Sequence, residues 1–144
     1  MYFYNFKEFY KIYKRKYNCD LIKAFKIVTQ KHSNAILNIY GRAFTPGEKL
    51  ALDSLKSLLK ELNLENNVIF RGHVDNAYEE MRTSLLTTLV SHIEGLPMVI
   101  IESMANKTPV VCYNINYGPK DVINNNVDAI TKNSLVTSKF ICSI

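Results

Sequence analysis

No apolar stretch in this 144-residue chain approaches the length that crosses a bilayer as a helix, which is ~20 residues. The longest run, Leu96-Pro97-Met98-Val99-Ile100-Ile101, suits a buried element and excludes a helical span. Cysteine is scarce. Cys19, Cys112 and Cys142 make an odd count with no C-x-x-C pair, which argues against a disulfide framework and for a reduced chain. Residues Met1 to Glu8 show no basic-then-apolar leader, so the expectation is a cytoplasmic protein. The histidines, His32, His73 and His92, fall on separate elements without ligand spacing, so no metal site is expected. Neither G-x-x-x-x-G-K-[ST] nor G-x-G-x-x-G occurs, which removes the two common glycine-rich phosphate cradles. G-x-S-x-G is missing too. Ser91 beside His92 therefore makes no nucleophilic triad, since chain neighbours do not face one another as a triad requires.

What is present is apolar material for one core: 47% hydrophobic residues against 22% charged ones. The net charge of +5 is unevenly spread. Residues 1–16 carry Lys7, Lys11, Lys14, Arg15 and Lys16 against Glu8, and the rest of the chain is nearly balanced. A fold built to grip nucleic acid would carry its basic residues on the domain itself, so no nucleic-acid partner is expected. Residues 1–19 are rich in Tyr, Phe and Lys without a clean period. Two readings stand for them: an amphipathic segment on an anionic membrane or a partner, or a stretch with no role of its own.

From Asp20 onward the pattern is regular. Asp20 is placed to cap a helix with Leu21, Ala24, Phe25 and Val28 on one stripe. Ser33-Asn34 breaks it, and Ile36 to Tyr40 reads as a strand ending at Gly41. Thr45-Pro46-Gly47-Glu48 has the form of a capping box with proline at the first helical position. The helix it opens carries Ala51, Leu55, Leu58, Leu59 and Leu62. Val68 to Arg71 is a second strand, and Asp75 is placed to cap a short helix through Met81. Leu86 to Val90 is a third strand, Pro97 to about Lys107 a helix, and Pro109 to Tyr113 a fourth strand. Strands joined through helices demand parallel pairing with right-handed crossovers. The fold class is therefore α/β, an open parallel Rossmann-like sheet of about four to six strands with helices on both faces. The domain is expected over residues 20–130, between a basic tyrosine-rich segment, 1–19, and an irregular tail, 131–144.

Ligands of such sheets bind beyond the carboxyl ends of the strands. Three loops end there: Gly41 to Ala43, Gly72-His73-Val74, and Ser91 to Leu96. The third sets Glu94 immediately before Gly95, Leu96 and a helix start. The amides of Gly95, Leu96 and Met98 would point out of that start and, with the helix dipole, suit a phosphate. Glu102 follows eight residues after Glu94, amid Val99, Ile100, Ile101 and Met104. A carboxylate in so apolar a stretch needs a partner. Ribose hydroxyls are one, and water at an outer helix face is the other; composition does not separate them.

The stretch from Ser91 through Ala105, followed by Thr108-Pro109-Val110-Val111, resembles the donor-binding half of group 1 (family 4) retaining glycosyltransferases, with their E-x7-E signature. Asp20 to Phe25 resembles the D-x-L-I-x-A-F helix of that family, and Glu65 to Gly72 its N-V-x-F-x-G strand. Tyr117-Gly118-Pro119-Lys120-Asp121-Val122-Ile123 resembles the Y-G-P turn of a bacterial branch that decorates cell-wall and capsular polymers. The match covers residues 18–128 in order.

The resemblance implies one half of a GT-B enzyme. It implies a hexosyltransferase whose donor is a nucleotide-diphosphate sugar, commonly a UDP-sugar, with no further cofactor. Carried over, Glu94 would act at the donor sugar as the catalytic carboxylate. Gly95, Leu96 and Pro97 would surround sugar and diphosphate, Glu102 would hold the ribose, and Gly72, His73 and Val74 would lie near the base. The acceptor would be a glycan or polyol-phosphate polymer. It would be met through a separate acceptor domain, with the chain a truncated or split form at the inner face of the membrane. A non-catalytic module that docks through the basic residues 1–19 is the competing reading. Some positions depart from the pattern. Ile12 and Tyr17 stand where an arginine and a lysine usually grip the diphosphate, Lys107 and Ala129 where glycines stand, and Val90 where a proline often precedes the serine.

Overall fold

The computed structural model describes the backbone over residues 5–9, 15–91, 95–113, 115, 117–123, 129–130 and 140–143. Side chains are described over 18–91, 95–113, 115 and 117–123. Two compact units divide the chain, Met1–Asp75 and Asn76–Ile144.

In the first unit the strands β1 (Asn5–Phe9), β2 (Ile36–Tyr40) and β3 (Val68–Gly72) alternate with the helices α1 (Arg15–Lys31) and α2 (Pro46–Glu61). β2 lies between β1 and β3 and pairs parallel with both, as crossover through a helix requires. Its burial is nearly continuous, the mark of a strand covered on both faces. The capping box predicted for α2 is present. Glu48 N–H donates to Thr45 Oγ1 at 3.2 Å, while Glu48 Oε2 accepts from Thr45 N–H at 2.9 Å and Phe44 N–H at 2.7 Å. Leu55 and Leu59 then face inward from α2 and meet Ile22, Phe25, Leu37, Ile39 and Val68 in one cluster.

Three details differ from expectation. α1 begins at Arg15, not at a cap on Asp20, because nothing between Arg15 and Asp20 breaks a helix; Asp20 is an exposed residue within it. Of the expected stripe of α1, Phe25 is buried and Leu21 and Val28 pack against the core, but Ala24 is exposed and Asn18 and Ile22 are buried in addition. Residues 5–9, where no period is legible, form β1 through backbone pairing with β2.

In the second unit α3 (Ala77–Arg82), β4 (Leu86–Leu89), α4 (Met98–Ala105), β5 (Val110–Tyr113) and α5 (Pro119–Val122) follow in order. β4 and β5 pair parallel. α3 is capped by Asn76, whose Oδ1 accepts from Glu79 N–H at 3.3 Å; Asp75, one residue earlier, was expected in that role. α4 stops at Ala105, two residues short of expectation, because the chain turns over Asn106 and Lys107, the latter at φ 57°. The final elements are β6 (Ala129–Ile130) and β7 (Phe140–Ser143). β7 pairs antiparallel with both β5 and β6, within residues expected to be irregular. Two- and four-residue strands are too short to show a period, so only the pairing reveals them. Asn124-Asn125-Asn126, which read as a loop, lie outside the described residues.

Candidate functional site

α4 is locked to its surroundings through hydroxyls. Ser103 Oγ, fully buried, lies 2.9 Å from Thr87 Oγ1 on β4 and 3.0 Å from the Thr108 carbonyl. A carbonyl only accepts, and Ser103 has one proton. The Ser103 hydroxyl therefore donates to Thr108, and Thr87 donates to Ser103. Thr108 Oγ1 in turn donates to the Met81 carbonyl of α3 at 2.8 Å, and Thr108 N–H donates to the Ser103 carbonyl at 3.0 Å. These bonds fix the last turn of α4 beside the amino-terminal half of β4.

The start of α4 is built by Gly95, Leu96 and Pro97, with Pro97 as the N-cap residue and buried. Gly95 and Leu96 are exposed. Their amides make no hydrogen bond to another described residue. The Met98 amide, by contrast, donates to the Leu96 carbonyl at 3.0 Å, because the chain turns tightly into the helix. A methyl built on Gly95 would meet no heavy atom within 4 Å, and its φ lies outside the left-handed region. The chain itself thus has no need of glycine at 95; a closely approaching ligand would.

Glu102 lies in the middle of α4, half-buried, and its carboxylate has no hydrogen-bond or ion-pair partner among the described residues. It is neither a fully solvated surface group nor a paired core one. Glu94, with His92 and Ile93, lies outside the described residues. Just before them, Ser91 is 3% exposed, and its Oγ has no hydrogen-bond partner. In the sequence, the alternation of Thr87 and Leu89 continued past β4 points to Ser91 as the next inward position.

In the first unit Gly72, His73 and Val74 stand at the carboxyl end of β3. Gly72 has φ 72°, a conformation that favours glycine, and its carbonyl accepts from Gly41 N–H at 2.8 Å. His73 Nε2 is 3.6 Å from Asp75 Oδ1, both side chains well exposed. Beside this exit Arg71 Nε donates to the buried Asn38 Oδ1 at 2.7 Å. Gly72, His73 and Val74 thus lie in one unit and Gly95, Leu96, Pro97 and Glu102 in the other. Among the described residues no group of three or more His, Cys, Asp and Glu stands where it could hold a metal ion. Cys112 is a fully buried residue of β5. No helix of the described residues is long and apolar enough to cross a membrane.

Parallel strands flanked by helices define an α/β protein, and solved GT-B glycosyltransferases superpose on it. The chain matches a Staphylococcus aureus TarM mutant in complex with Fondaparinux, alpha-GlcNAc-glycerol and UDP with a TM-score of 0.75. That match has 26% identity and covers 87% of this chain and 24% of TarM. The model of the family "Glycosyl transferases group 1" matches residues 10–138, and the chain belongs to that family. Among curated relatives, it is 32% identical over 102 residues to the poly(glycerol-phosphate) alpha-glucosyltransferase of Bacillus subtilis, covering 71% of this chain and 14% of that protein. It is 31% identical over 106 residues to the poly(ribitol-phosphate) alpha-N-acetylglucosaminyltransferase of Staphylococcus aureus, covering 74% of this chain and 20% of that protein. The chain spans a fifth or less of the length of these two relatives.

Proposed function

We propose that this chain is the donor-binding part of a hexosyltransferase that takes a nucleotide-diphosphate sugar, a UDP-sugar by analogy with the TarM complex. The observation that carries the reading is Glu102: a half-buried carboxylate without a side-chain partner among the described residues, on a helix pinned by the Ser103 hydroxyl. A carboxylate so placed accepts hydrogen bonds from a pair of ribose hydroxyls, and charge-assisted bonds of this kind are worth ~1.5–3 kcal/mol each. The unengaged amides of Gly95 and Leu96 meet the diphosphate, Pro97 shapes the turn, and Glu94 works at the sugar. Glycosyl transfer builds negative charge on the leaving diphosphate, and oriented amides at the positive end of α4 stabilise it as it develops.

The acceptor, on the same reading, is a polyol-phosphate or surface glycan polymer, the class named in the two curated relatives. It is met through a separate acceptor domain, at the cytoplasmic face and peripheral to the membrane. Cosedimentation with phosphatidylglycerol vesicles checks the membrane part; binding that is absent or indifferent to salt removes it. For the donor site the experiment is calorimetric titration of the chain with UDP-glucose and UDP-N-acetylglucosamine. The expected result is binding that Glu102→Ala weakens at least ten-fold. No heat and no ligand-observed NMR signal at millimolar donor would reject the proposal.

A further inference from the structure

Ser91 is the one residue whose buried side-chain polar atom lacks a hydrogen-bond partner among the described residues. Burying a hydroxyl unpaired costs ~1–3 kcal/mol, so such a group calls for an explanation. Its direction follows from strand geometry. Side chains alternate along β4, and Thr87 faces α4, because its hydroxyl is bonded to Ser103. Leu89 shares that face, and carrying the alternation two residues past the end of β4 sets Ser91 on it as well. β4 advances about 3.3 Å per residue, so Ser91 lies roughly 13 Å beyond Thr87 toward the carboxyl end. α4 runs back along the strand at about 1.5 Å per residue, so Met98 lies only about 7.5 Å beyond Ser103 in the same direction. Ser91 is therefore set about one helical turn past the first amide of α4, facing the space into which that helix start opens.

Two independent observations coincide there: the unengaged amides of Gly95 and Leu96, and a hydroxyl with nothing to bond. We infer that Ser91 is a further ligand-binding residue, whose Oγ donates to a phosphate oxygen of the bound nucleoside diphosphate. This rests on the donor-site reading given above and adds a residue to it. A hydroxyl complements the two amides, since all three are donors and an anionic phosphate oxygen accepts more than one bond. The hydroxyl is only 3% exposed, so a ligand engages it once the atoms covering it move aside.

The test titrates the full chain and its Ser91→Ala variant with UDP by calorimetry, and records the thermal midpoint of each without ligand. The inference expects the variant to bind UDP at least five-fold more weakly, with a ligand-free midpoint no lower than that of the parent. Replacing an unpaired buried hydroxyl by hydrogen removes a penalty and no bond. Equal UDP affinity would overturn the inference and leave the donor-site reading standing. A midpoint lowered by several degrees would also overturn it, because the hydroxyl would then be holding the chain and not the ligand. Failure of the parent chain itself to bind UDP would sink the inference and the donor-site reading together.

Discussion

The two units solve the same problem, packing helices on parallel strands, with different chemistry. In the first unit the buried residues are mostly aliphatic: Ile22, Leu37, Ile39, Leu55, Leu59, Leu64 and Val68. In the second, Thr87, Thr88, Ser91, Ser103 and Thr108 are buried beside Leu89, Ile100 and Val110. An aliphatic cluster is non-directional and tolerates small slips of a helix. A hydroxyl chain does not, because each bond has a length and an angle to meet. The unit that carries α4, whose start is the proposed diphosphate site, is the one held by directional bonds. The contrast teaches that precise placement and bulk stability are supplied by different parts of the chain.

The largest effect that would break this comparison is expected at Leu55. Its side chain is fully buried at the centre of the aliphatic cluster, and Leu55→Ala should cost about 2–5 kcal/mol as lost transfer energy plus cavity. Urea unfolding of the full chain measures it; a loss below about 1 kcal/mol would mean that the cluster collapses around the hole and is less close-packed than its burial implies. Next comes Ser103→Ala, which leaves the Thr108 carbonyl and the Thr87 hydroxyl without their partner. About 1–3 kcal/mol is expected, together with faster amide exchange in α4. Exchange unchanged in α4 would show that the hydroxyls do not hold the helix. The smallest effect is of opposite sign. Lys107 adopts φ 57° at the end of α4, where a side chain costs about 1 kcal/mol relative to glycine. Lys107→Gly should raise the thermal midpoint by a few degrees, and a lowered midpoint would assign the lysine a stabilising contact.

Much of the fold was legible because it is written in side chains. Thr45 and Glu48 announce the start of α2, and its leucines at helical spacing announce the buried face. The apolar runs of β2 and β5 identify strands covered on both faces, whereas that of β3 belongs to a strand buried only at Val68. β1 and β7 were not legible because backbone pairing alone defines them, and Phe6-Lys7-Glu8 carries no alternation. The start of α1 was missed because a capping residue was assumed where none is needed, and Asn76 outcompeted Asp75 by a single position. At the candidate site, Gly95, Leu96, Pro97 and Glu102 stood out by motif. The engaged Met98 amide did not, since a tight turn into a helix leaves no residue-type signature. Ser91 was set aside as a nucleophile, and its unpaired hydroxyl could not be known without burial.

The link between Gly41 and Gly72 has a mechanical consequence. A single 2.8 Å bond ties the exits of β2 and β3, and both residues sit at positive φ, 142° and 72°. A side chain at Gly72 would meet no steric block, yet it would strain the backbone at the residue whose carbonyl anchors the neighbouring exit.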